Sequence, residues 1–140
     1  MTRREAREHT FEMLFETEFR SDENIQDIYE CSCEDRELTN DDNYIKDTFF
    51  GINEKKTELD EIINKNSYAW RSDRISKVSR SILRLAIYEM YYINSIPVKV
   101  TLNEAVELCK KFDDEKAVPF VNGVLNAVKN ELPQNSDKIE

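Results

Sequence analysis

Between residues 74 and 93 the chain reads RISKVSRSILRLAIYEMYYI. Ile75, Val78, Ile82, Leu83, Leu85, Ala86, Ile87, Met90, Tyr91 and Ile93 recur there at helical spacing, yet they spread well beyond one narrow stripe. So broad an apolar surface predicts a central helix on which the others pack. The remaining arc, Arg74, Lys77, Arg80, Ser81, Arg84 and Tyr88, advances in steps of three or four and reads as a basic rail, either a solvated edge or a functional one.

The same periodicity organises the flanks. Thr2 and Glu5 have capping-box spacing, so a first helix is predicted from the start of the chain to about Phe19 or Arg20, with Ala6, Thr10, Met13, Leu14 and Thr17 facing a core. A second line on it, Arg3, Arg7, Phe11, Phe15 and Phe19, is spaced by fours and runs from cationic to aromatic. The phenylalanines either widen the buried face or form an apolar landing site for another protein. Ile25 to Cys33 reads as a short amphipathic piece marked by Ile25, Ile28 and Tyr29. Thr39 reads as the cap of a helix with Tyr44, Ile45, Phe49 and Phe50 inward, which Gly51 weakens or ends and which Ile52, Leu59, Ile62 and Ile63 carry on to about Asn64.

Trp70 lies in the connection before the central helix and is expected to anchor the core. Asn94 to Val100 reads as an extended link, because Pro97 disfavours helical geometry at Ile96. Thr101 and Glu104 form another capping-box pair, for a helix through Lys111 with Leu102, Ala105, Val106, Leu108 and Cys109 available for burial. After a polar loop from Asp113 to Val118, Pro119 suits the first turn of a last helix bearing Phe120, Val121, Val124, Leu125 and Val128. The expectation is one all-α domain of six or seven helices over residues 1–132, followed by a disordered tail at 133–140.

Composition supports this reading: two glycines and three prolines in 140 residues leave little material for tight β-turns, and 39% apolar residues suffice for a core. No apolar run approaches the length of a membrane span and no signal peptide opens the chain, so a soluble cytoplasmic protein is expected. Cys31, Cys33 and Cys109 are odd in number and lack metal-ligand spacing, which predicts reduced thiols. The net charge of −9 is unevenly spread: residues 21–64 hold fourteen acids against four bases, and the rest is close to neutral. An RNA site outside the acidic block is therefore compatible with the overall charge.

Candidate chemistry is sparse. There is no glycine-rich phosphate loop, no metal cluster and no nucleophile beside a base; the single histidine, His9, reads as a surface position. No enzyme activity, cofactor or metal is expected. Arg3, Arg4 and Arg7 gather at the positive end of the first helix dipole, an unfavourable place that points to a ligand. Guanidinium groups fork phosphates bidentately and stack on bases, so RNA suits them.

The segments TRREAREHTFEMLFE, RISKVSRSILRLAIYEM, IPVKVTLNEAVELCKKF and PFVNGVLNAV, in that order and spacing, resemble the NusB family of bacterial transcription antitermination factors from Arg3 to about Leu132. The resemblance implies an all-α bundle in two small subdomains of three or four helices. It implies an adaptor in antitermination of ribosomal RNA operons, bound to boxA RNA as a heterodimer with ribosomal protein NusE and acting indirectly on the RNA polymerase complex. The family's arginine motif falls on Arg3, Arg4 and Arg7. Its FVNG motif falls on Phe120, Val121, Asn122 and Gly123, beside Lys116, so Lys116, Phe120 and Asn122 are expected RNA contacts. For Phe120 a core role, and for Gly123 a helix-packing role, are equally compatible with the sequence. Phe11, Phe15 and Phe19 are the expected NusE-facing residues. The rival readings are a self-associating helical scaffold that homodimerises through the phenylalanine ridge, and a detached NusB-like domain of a ribosomal RNA methyltransferase.

Overall fold

Seven α-helices and no strand occur among the residues that the computed structural model describes, 1–20, 23–36, 43–67 and 75–132. In order they are α1 (Arg3–Thr17), α2 (Ile25–Arg36), α3 (Tyr44–Glu54), α4 (Lys56–Asn66), α5 (Lys77–Tyr92), α6 (Val98–Phe112) and α7 (Val118–Glu131), with a 3₁₀ turn at Glu115–Ala117. The all-α expectation holds. Thr39, Trp70, Arg74 and the tail after Pro133 lie outside the described residues. Two units emerge, Met1–Glu54 with α1 to α3 and a second that begins at Lys55 with α4 to α7.

In the first unit the capping box forms as predicted: the Thr2 hydroxyl accepts the Glu5 N–H at 3.1 Å and the Glu5 carboxylate accepts the Thr2 N–H at 2.8 Å. These bonds to Thr2, the backbone one first, hold the Glu5 carboxyl below the usual range. Helix α1 packs on α2 and α3. Its core threonines are satisfied within the helix, Thr10 donating to the Ala6 carbonyl at 2.8 Å and Thr17 to that of Leu14 at 2.6 Å. The helix stops short of Phe19, whose N–H turns back to the Glu16 carbonyl at 3.0 Å in a tighter turn. Gly51 does not end α3: buried Phe49 and Ile52 flank it, and their packing outweighs its helix penalty of about 1 kcal/mol. Tyr29 of α2 stacks on Phe49 at 6.2 Å and meets Phe50 edge-on at 5.1 Å.

In the second unit α5 packs against α4, α6 and α7. Ile82, Leu83, Leu85, Ile87 and Met90 are buried around its circumference, as the broad apolar surface predicts. The basic rail is corrected. Ser81 is wholly buried and Arg84 is 4% exposed, its Nε 2.7 Å and a terminal nitrogen 3.0 Å from the two carboxylate oxygens of Asp60 on α4. Arg80 is half-buried with its guanidinium 4.0 Å from the same carboxylate, which leaves Lys77 as the exposed cation of the described rail. The physical reason is Asp60: a bidentate partner makes burial of an arginine tolerable.

The start of α6 is also corrected. Val98 to Val100 are its first turn and not an extended link, with Pro97 as N-cap and its carbonyl accepting from Val100 at 3.0 Å and Thr101 at 3.2 Å. Thr101 sits inside the helix, where its hydroxyl donates to buried Glu89 at 2.7 Å and so is not available as a cap. Helix α7 begins at Val118, one residue before Pro119. No helix among the described residues is long and apolar enough to cross a membrane. The three cysteines are free, and burial pushes the Cys109 thiol up to about 11.

At the C-terminal end of α5 the Tyr92 hydroxyl donates to Glu58, and Lys55 lies 5.3 Å from the ring centre. The hydrogen bond to Glu58 raises the Tyr92 phenol to about 12, and burial raises Tyr29 to about 12. Both values lie above the ordinary 10, so the stability these phenols contribute is complete below pH 10 and is lost as pH rises through 12. Ultraviolet titration is expected to show at least two of the six tyrosines ionising late in the folded chain and normally in urea. A single ordinary titration of all six would contradict this assignment.

Candidate nucleic-acid interface

The capping box sets where α1 begins and therefore where its arginines stand. Arg3 and Arg4 are exposed in the first turn. The Arg3 guanidinium lies over the Tyr44 ring at 4.4 Å, and Tyr44 is itself buried on α3. Such stacking uses a face of the guanidinium, whose N–H donors lie in its plane and suit phosphate oxygens. Arg7, one turn on, is 4% exposed. The three expected contacts are thus divided: two stand at the surface and Arg7 is part of the interior. His9 is a partly exposed surface position, with Nδ1 3.8 Å from a Glu12 carboxylate oxygen.

The phenylalanine ridge is graded along the same helix. Phe11 is 2% exposed, Phe15 is half-buried and Phe19 is 63% exposed. Phe15 links the two ends, with ring centres 6.1 Å from Phe11 and 5.0 Å from Phe19. Along this one line Phe11 widens the core, and the exposed apolar surface reduces to Phe19 and part of Phe15. Sequence spacing missed this gradation because a slanted four-residue row drifts around the helix and leaves the core gradually.

In the second unit the turn between α6 and α7 carries the other expected contacts. Lys116 is exposed in the 3₁₀ turn, and its N–H donates to the Asp114 carboxylate at 3.0 Å. Asn122 is exposed on α7, and its carbonyl accepts from the Asn126 side chain at 2.9 Å. Phe120 is half-buried, while Val121 and Val124 beside it are fully buried. Three elements that sequence reasoning missed converge behind this turn: Ser76, which caps α5, Ser79, and Asp113. A serine just before a periodic run is a recognisable cap signal, but nothing in sequence spacing links it to a carboxylate 37 residues away. Among the described residues no group of acidic, histidine or cysteine side chains is arranged to hold a metal ion.

Residues 4–130 match the model of the NusB family. This chain belongs to the NusB family. Transcription antitermination is the process that family serves. The transcription antitermination protein NusB of Bacillus subtilis (strain 168) is 44% identical over 135 residues, covering 96% of this chain and all of that protein. The NusB protein of Clostridium perfringens (strain SM101 / Type A) is 40% identical over 131 residues, covering 91% of this chain and 96% of that protein. Among solved structures, T. maritima NusB superposes with a TM-score of 0.84 at 33% identity over 99% of both chains. A NusB chain crystallised with NusE and double-stranded RNA superposes with a TM-score of 0.81 at 32% identity, covering 94% of this chain and 99% of that one.

Proposed function

We propose that this NusB-family chain is an RNA-binding adaptor that antiterminates transcription of ribosomal RNA operons, binding boxA RNA as a heterodimer with ribosomal protein NusE. The observation that carries the reading is its likeness, over nearly the whole of both chains, to a NusB solved together with NusE and RNA. The surface chemistry agrees. Arg3, Arg4, Lys116 and Asn122 are exposed and offer nitrogen donors, Phe120 offers part of a ring, and Phe15 with Phe19 offers an apolar strip for NusE. Arg7 is buried, so in this reading the contact to RNA falls to its neighbours Arg3 and Arg4.

Fluorescence anisotropy of labelled boxA RNA over a salt series, with and without NusE, tests this. Three exposed cations, Arg3, Arg4 and Lys116, give a log–log salt slope of about −2 for single-stranded RNA, at roughly 0.7 per phosphate neutralised. Few phosphate contacts predict weak binding by the chain alone, and on this reading NusE is expected to raise the affinity markedly. Arg3→Ala with Arg4→Ala is expected to flatten the slope by about 1.4. RNA affinity indifferent both to NusE and to these substitutions would sink the adaptor reading. Homodimers in light scattering that NusE fails to dissociate would put the self-associating scaffold in its place.

A further inference from the structure

We propose that Asp113 is a positioning residue for the RNA contact of Lys116, tying the turn before α7 to the first turn of α5. The inference rests on the RNA reading above. Asp113 closes α6, its N–H donating to the Cys109 carbonyl at 2.9 Å. One carboxylate oxygen accepts from the Ser79 hydroxyl at 2.7 Å and from the Ser76 hydroxyl at 3.4 Å, and the other accepts the Asp114 N–H at 2.8 Å. Asp114 in turn accepts the Lys116 N–H on its carboxylate at 3.0 Å and the Ala117 N–H on its carbonyl at 2.8 Å. Ser79 is 3% exposed, and its N–H is capped by Ser76 at 2.9 Å, so this end of the chain of bonds is fixed in the packed part of the unit. An unbroken series of hydrogen bonds thus runs from α5 to the backbone of Lys116.

The charge makes the proposal testable by sign. A carboxylate three residues from a phosphate-binding lysine repels RNA, so on electrostatics alone its removal tightens binding. If Asp113 acts by holding Lys116 in place, its removal weakens binding in spite of the charge. Hydrogen bonds to an ionised carboxylate are strong enough to order so short a turn.

The experiment is the salt-series anisotropy of boxA RNA with the complex of this chain and NusE, for wild type, Asp113→Ala, Ser79→Ala, Lys116→Ala and the Asp113→Ala, Lys116→Ala pair. Asp113→Ala and Ser79→Ala are each expected to weaken binding by about three- to tenfold, and Asp113→Ala to change it by less than about twofold once Lys116 is alanine. Ser79→Ala breaks the same tie with the charge unchanged, so it carries the test if Asp113→Ala does not fold, and wild-type binding by Ser79→Ala then overturns the positioning role. The positioning role is overturned if Asp113→Ala tightens binding or leaves it unchanged, or if its effect adds in full to that of Lys116→Ala. If wild type does not bind RNA, or Lys116→Ala binds like wild type, it is the RNA reading of this turn that fails, and the inference falls with it.

Discussion

Replacing Arg84 by alanine is expected to destabilise the second unit by about 3 kcal/mol, the low end of the range for breaking a buried ion pair, because Asp60 can recover part of its hydration. Asp60 keeps 29% of its side chain exposed whereas Arg84 keeps 5%. In urea denaturation the midpoint should fall with little change in slope. Arg84→Met combined with Asp60→Leu should return to within about 1 kcal/mol of wild type, since replacing both charges by apolar groups leaves no buried charge without a partner. An Arg84→Ala loss below about 1 kcal/mol would mean that this arginine faces water, as the basic rail suggested. RNA affinity of the folded Arg84→Ala protein should stay at the wild-type level.

The second large effect lies in the first unit. Phe49 is fully buried between Tyr29 and Phe50, with ring centres 6.2 and 5.3 Å away. Phe49→Ala removes this ring from a packed aromatic cluster and is expected to cost about 4 kcal/mol, of which about 1 kcal/mol is lost ring–ring interaction. Phe49→Leu keeps most of the volume and should cost roughly 1–2 kcal/mol. Chemical denaturation of the two variants checks the ranking. Losses of only about 1–2 kcal/mol in both variants would show that the site collapses around the smaller side chain and that the aromatic geometry contributes little. Because α1 packs on α3 and Arg3 lies over Tyr44, Phe49→Ala should also weaken RNA binding through Arg3 and Arg4.

These two residues show where sequence reading succeeds and where it stops. Phe49 was legible: it recurs at helical spacing with Tyr44 and Ile45, all three are buried, and a buried apolar side chain needs no particular partner. Arg84 was not legible, because its burial depends on Asp60, 24 residues earlier and on another helix. Thr101 follows the same rule. Its spacing to Glu104 is that of a capping box, but the hydroxyl turns to Glu89 across the α5–α6 packing, and Pro97 opens the helix one turn earlier.

The candidate interface divides in the same way. Residue type and family likeness placed the exposed Arg3, Arg4, Lys116 and Asn122, and they placed Arg7 and Phe11 beside them without distinguishing inside from outside. By itself the sequence determined what local physics controls: the helices, the Thr2–Glu5 cap, the dominance of α5 in its unit and the absence of strands among the described residues. Periodicity and capping act over three or four residues, so one chain segment contains all that they need. The tertiary structure alone decided which cations face water, how far along α1 the phenylalanines remain accessible, and that Asp113 fastens the Lys116 turn to α5. Those outcomes depend on the charge and shape of a partner helix, which spacing within one helix does not encode.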